Sequence, residues 1–260
     1  MRGMKTGYVF LAIFSLLLFA SAAQAQGILG TKHNLTATGT GTVKSSTPDG
    51  AGGPEVCVFC HTPHGSDTTV EAPLWNRAVN VSGYTMYTSP SLDGTVDAQP
   101  TGVSVACLSC HDGTIALDAL RNLPGSGSYT NTPAATGTSA WTFVGGTGTG
   151  NKYMPATAIT NLGMDLRNDH PISIDYASAM SPSATSGVND HATGFKSPGV
   201  INPTADTYFT NGIKLSAGKV QCNSCHDPHR SDNATFLRIN NSGAGNQQSA
   251  VCLTCHKKDG

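Results

Sequence analysis

All eight cysteines of the chain fall into four copies of one pattern, each closed by a histidine: Cys57-Val-Phe-Cys60-His61, Cys107-Leu-Ser-Cys110-His111, Cys222-Asn-Ser-Cys225-His226 and Cys252-Leu-Thr-Cys255-His256. Two thiols at this spacing reach the two vinyl groups along one edge of a porphyrin, and the histidine that follows meets the iron from one face. C-x-x-C-H is the attachment pattern of c-type haem, and four copies with no cysteine left over predict four covalently attached haems. Four disulfides, the ordinary use of eight cysteines in an exported protein, leave the four histidines unexplained. A tetrahedral zinc site needs no histidine after each C-x-x-C pair, and an oxidising compartment disfavours the free thiolates it requires.

With His61, His111, His226 and His256 as proximal ligands, five of the nine histidines remain for the four open iron faces: His33, His64, His170, His191 and His229. The chain repeats one arrangement twice. An upstream histidine (His33, His170) precedes a C-x-x-C-H-x-P-H element ending at His64 or His229, and a plain C-x-x-C-H follows. In each C-x-x-C-H-x-P-H element the proline turns the chain away, so His64 and His229 are expected to ligate a neighbouring haem rather than their own. His33, His64, His170 and His229 are the expected distal ligands. His191, in an Asn-Asp-His that echoes Asn168-Asp169-His170, is the alternative distal ligand. Met86, Met154, Met164 and Met180 could bind iron, but with enough imidazoles present they read as core filler. Iron held by two histidines has no vacancy for substrate, which favours electron transfer over catalysis; no nucleophile elbow or zinc protease signature is present either.

The elements that must position these groups are sparse. Gly, Ser and Thr abound, while Ile, Leu, Val and Phe are thinly spread beyond the N-terminus, so the side chains alone bury too little apolar surface to offset the entropy of ordering the chain. The expected fold is mostly irregular coil with a few short α-helices and minor β-structure, its core packed by haem and its haems divided between two pseudo-repeated dihaem halves. Ile115, Ala116, Ala119 and Leu120 have helical spacing and predict a helix after His111, stopped by Pro124-Gly125. Residues 249–258 predict another helix, Trp141 to Val144 a short strand, and residues 65–106 a loop-like stretch. Residues 1–25, with Arg2 and Lys5 ahead of an apolar run and Ala23-Gln24-Ala25 at its end, read as a secretory signal peptide. The N-terminal dihaem half then spans 26–124, a Gly/Ser/Thr-rich joint 125–165 and the C-terminal dihaem half 166–260. Removing the leader takes two of the 15 basic residues and none of the 16 acidic ones, leaving a net charge of −3. Such a chain has no electrostatic reason to bind nucleic acid, and no segment after the leader is long enough to insert in a membrane.

Taken together, Lys32-His33-Asn34, Cys57-Val-Phe-Cys60-His61-Thr-Pro-His64, Cys107-Leu-Ser-Cys110-His111-Asp-Gly, Asn168-Asp169-His170-Pro171 and Cys222-Asn-Ser-Cys225-His226-Asp-Pro-His229 resemble the multihaem cytochromes with doubled C-x-x-C-H motifs. Within that group, four haems in a chain of this length, poor in regular structure, is similar to the extracellular tetrahaem cytochromes that polymerise into conductive filaments. The resemblance implies that every haem is bis-histidine ligated and that one distal histidine comes from the next protomer of a head-to-tail homopolymer. It also implies export to the cell surface and electron exchange with other cytochromes or extracellular acceptors. A soluble periplasmic electron shuttle is the alternative reading, and a multihaem oxyanion reductase a third.

Overall fold

A computed structural model describes residues 27–50, 53–92, 94–125, 129–180, 195–196, 200–201, 206–208, 212–241 and 249–257. The leader and His191 lie outside the described residues. Among those described, no helix is long and apolar enough to cross a membrane.

Regular structure is scarce. The longest helix, α1 (Ser104–His111), carries the second C-x-x-C-H; α2 (Tyr176–Met180) is short, and α3 (Cys222–Cys225) and α4 (Cys252–Cys255) are single turns that coincide with the third and fourth motifs. Strands β1 (Lys44–Ser45) and β2 (Phe143–Val144) pair antiparallel, with Ser45 opposite Phe143. A second, five-stranded antiparallel sheet runs in the order β3 (Ile174–Asp175), β7 (Lys219–Val220), β6 (Lys214–Ser216), β5 (Asp206–Tyr208), β4 (Val200–Ile201). The remaining described chain runs as turns, isolated bridges and 3-10 turns.

One helical turn is the structural unit of every motif. The amide of the closing histidine donates back to the carbonyl of the first cysteine, at 2.8 Å from His61 to Cys57, 3.1 Å from His226 to Cys222 and 2.9 Å from His256 to Cys252. Cysteines three apart in such a turn share one face, so both thiols point the same way. The turn then ends at once: His226 and His256 are extended, and α1 stops where Gly113 takes φ +71°, with the Asn161 side chain where a Cβ would stand.

The helix predicted over residues 115–120 does not form; α1 precedes His111 instead. Ile115, Ala116, Leu117, Ala119 and Leu120 are all buried, but in turns whose backbone is tied to distant chain: Ala116 N–H donates to Ala135 O and Leu117 N–H to Lys152 O. Of the helix predicted over 249–258, only Cys252–Cys255 is helical. The predicted strand near Trp141 is β2.

Apolar packing is divided among small groups rather than gathered into one core. Phe59, inside the first motif, packs with Leu117, Leu120, Trp141 and Phe143; Tyr84 packs with Leu108 and Leu166; Tyr176 packs with Ile213 and Leu215. Met86 and Met164 border the second group and Met180 the third, while the Met154 sulfur accepts from Thr160 Oγ1. Phe59 is 1 % exposed. Phe59→Ala is expected to cost about 3–5 kcal/mol in denaturant titration of the haem-loaded protein, because a buried aromatic leaves a cavity that small groups cannot refill.

Candidate functional site

Consecutive motif turns lie close to one another, with Cys60, Cys110 and Cys255 at the margins of the apolar groups. All eight cysteines are free of disulfides. Burial, then the neighbouring Cys110, pushes the Cys60 thiol up to about 12; burial, then Cys252, pushes Cys225 up to about 11; burial, then Cys225, pushes Cys255 up to about 12. Sulfurs placed where the thiolate is so disfavoured suit a neutral thioether and not a zinc thiolate. Among the described residues no group of three or more His, Cys, Asp or Glu could hold a bare metal ion.

Three of the four proximal histidines are held in one way. His61 Nδ1 lies 2.7 Å from the Pro73 carbonyl, His111 Nδ1 2.7 Å from that of Thr160 and His226 Nδ1 2.7 Å from that of Thr235. A carbonyl can only accept, so Nδ1 carries the proton and Nε2 keeps its lone pair free for a metal.

The rings also come in pairs. His33 faces His111 with ring centroids 6.1 Å apart and planes at 66°; His229 faces His61 at 5.9 Å and 19°; His170 faces His256 at 6.4 Å and 78°. An imidazole nitrogen bonds a transition metal at about 2 Å, so two rings on opposite sides of one metal have centroids roughly 6 Å apart at any rotation about the axis. All three separations fit one iron between each pair. A second observation fits haem as well: the Trp75 indole Nε1, edge-on to His61 at 6.3 Å, is buried with no partner, and a haem propionate is an acceptor of the kind it lacks.

In two of the pairs burial favours the neutral ring that a ligand needs. Burial, then the nearby His111, His229 and His226, lowers His33 from its ordinary 6.5 to about 4. Burial likewise lowers His111, against the pull of the Thr160 carbonyl, and burial followed by His170 lowers His256. A ligand histidine stays neutral in the folded, haem-loaded chain, whereas the unfolded chain takes up a proton on it near 6.5, so acid favours unfolding as the pH falls from about 6.5 toward 4. Stability from this site is full above about pH 6.5 and falls as the pH drops. A denaturant midpoint flat across that interval contradicts the account.

His226 stands apart. Its ring is close enough to His33 and His111 to act on them electrostatically, but among the described residues no second imidazole faces it as the other three pairs face each other. His64 is exposed; its carbonyl accepts from Thr62 Oγ1 and Asn122 Nδ2, and among the described residues its ring meets no other imidazole. The structure therefore brings His33, His170 and His229 to proximal histidines and leaves His64 out. His229 reaches across to His61, a residue of the other half.

Several contributors carried no sequence signal. Phe236 stacks on His33 with centroids 4.4 Å apart and planes at 7°, and Phe195 lies 4.7 Å from His256. Helices α1 and α3 pack together: Ser104 Oγ donates to Gln221 Oε1 at 2.5 Å and accepts from the Cys222 amide at 3.0 Å. This brings the thiols of Cys107 and Cys222 into hydrogen-bonding contact, which raises Cys107 and lowers Cys222. The second and third attachment motifs thus meet sulfur to sulfur.

Residues 215–260 match the doubled CXXCH motif family. That match covers the third and fourth motifs and supports a multihaem c-type cytochrome working in electron transfer. A search of curated proteins finds no match.

Proposed function

We propose that this chain is a tetrahaem c-type cytochrome that passes electrons along a row of bis-histidine haems. The observation that carries the reading is the set of three imidazole pairs at 5.9 to 6.4 Å, each joining one C-x-x-C-H histidine to one spare histidine. Cys57 and Cys60 with His61 and His229 hold the first haem; Cys107 and Cys110 with His111 and His33 the second; Cys252 and Cys255 with His256 and His170 the fourth. Cys222, Cys225 and His226 hold the third. Each haem, when bound, takes up and releases one electron at its iron.

The residues perform the rest. Backbone carbonyls of Pro73, Thr160 and Thr235 fix the tautomer and aim Nε2, and burial favours the neutral form of His33, His111 and His256. Two imidazoles would hold the first, second and fourth irons and leave no place for substrate there, which supports an electron carrier over an enzyme. Contact between Cys107 and Cys222 supports the second and third haems as the crossing point between the halves.

The finer reading is an extracellular, filament-forming cytochrome. A spare histidine, His64 or His191, completes the iron at His226, and a neighbouring copy delivers it head to tail; the exposure of His64 supports this, and among the described residues no imidazole faces His226. Each copy then passes electrons to the next, toward other cytochromes or an external acceptor. Electron microscopy of native, haem-loaded protein sheared from cells is expected to show uniform threads. Isolated small particles at the same concentration overturn the filament and favour a soluble periplasmic shuttle.

A further inference from the structure

Arg77 is the least expected residue of the interior. It is 0 % exposed, and its guanidinium makes four hydrogen bonds: Nε to Ser109 Oγ at 3.1 Å, Nη1 to Leu117 O at 2.5 Å, and Nη2 to Ser109 O at 3.1 Å and Ala116 O at 2.9 Å. Every acceptor is a neutral oxygen. Among the described residues no carboxylate pairs with it. The buried acids nearby are engaged elsewhere, Asp118 with Lys152 Nζ at 2.6 Å and Ser139, and Asp112 with Tyr84 Oη at 2.7 Å and Asn80. A buried cation without a counter-charge is costly, and four hydrogen bonds to oxygen dipoles lower that cost without cancelling the charge.

Its position gives the charge an object. Ser109 is the residue next to Cys110 in the second motif, and Asn76, next to Arg77, is tied to the first: the Asn76 amide donates to the Cys60 carbonyl at 2.9 Å. Arg77 therefore stands between the first two attachment motifs.

We propose that Arg77 is a potential-setting residue: a fixed, uncompensated positive charge that favours the reduced state of the first and second haems over that of the other two. The inference rests on the tetrahaem reading. Reduction adds one electron to ferric iron, supplied in the test by dithionite, and neither makes nor breaks a bond. A nearby cation in a medium of low dielectric stabilises the state with one more negative charge, so it raises the potential. The gradient it sets makes the N-terminal pair the electron-rich end of the row.

The test is a spectroelectrochemical titration of the haem-loaded protein. Arg77→Met removes the charge, Ser109→Asp neutralises it by placing a carboxylate against Nε, and Arg77→Lys keeps it. At the potential where the highest-potential haems of the unaltered protein are half reduced, Arg77→Met and Ser109→Asp are each expected to raise the oxidised-to-reduced ratio of those haems about tenfold, while Arg77→Lys leaves it nearly unchanged. Should Arg77→Met fail to load four haems, Ser109→Asp decides alone, since it retains the arginine and its backbone bonds. Unshifted haems in a neutralised variant that carries all four overturn the proposal, as does an equal shift in Arg77→Lys. If the unaltered protein carries no haem, the tetrahaem reading fails instead.

Discussion

His229→Ala converts one haem in four from low-spin to high-spin, and the iron that changes is the one at His61. The prediction follows from the ring separation of 5.9 Å between residues from opposite halves of the chain, with the proximal ring already fixed by Pro73. Losing one imidazole opens the sixth position and raises the potential of that iron, because two nitrogen donors favour the ferric state more than one does. Absorption and electron paramagnetic resonance spectra of the oxidised variant read the spin state. A double-variant comparison identifies the iron: in a background with Cys57→Ser and Cys60→Ser, where no haem stands at His61, adding His229→Ala changes nothing further. An unaltered low-spin spectrum in the single variant removes His229 from the ligand set. A further change in the double background assigns it to another iron.

Haem-free chain, made with all eight cysteines replaced by serine, shows no cooperative melting transition. Each buried apolar group holds only three to five side chains, and Cys60, Cys110 and Cys255 border them as partly buried neighbours. Three paired histidines, His61, His111 and His256, face other imidazoles across gaps of metal-sandwich width and gain nothing from that proximity without the metal. Binding energy at such sites is folding energy. Circular dichroism and differential scanning calorimetry check this, and a sharp transition in the haem-free chain contradicts it.

What the sequence makes legible is the chemistry that is local. C-x-x-C-H is contained within five residues and folds as a single helical turn, so its geometry depends on little else. The low content of regular structure follows equally from composition, and the strand at Phe143 and Val144 from two adjacent apolar residues in a polar stretch. The helix expected over 115–120 fails for the opposite reason. Its apolar spacing reflects burial on several sides, enforced by Arg77 from far upstream, whose guanidinium captures the carbonyls of Ala116 and Leu117. Which spare histidine meets which proximal one is also a long-range fact. His33 and His111 are brought together by contacts such as the Phe236 stack from the far end of the chain. His64 and His229 occupy equivalent places in the repeat, yet only His229 faces another imidazole among the described residues, a difference that motif spacing does not encode.

The assignment of four covalent haems, each with two histidine ligands, is read out by spin-quantified electron paramagnetic resonance of the oxidised, fully assembled protein. Four low-spin ferric centres per chain and no high-spin signal are expected. A persistent high-spin centre, or fewer than four ferric centres per chain, would contradict it.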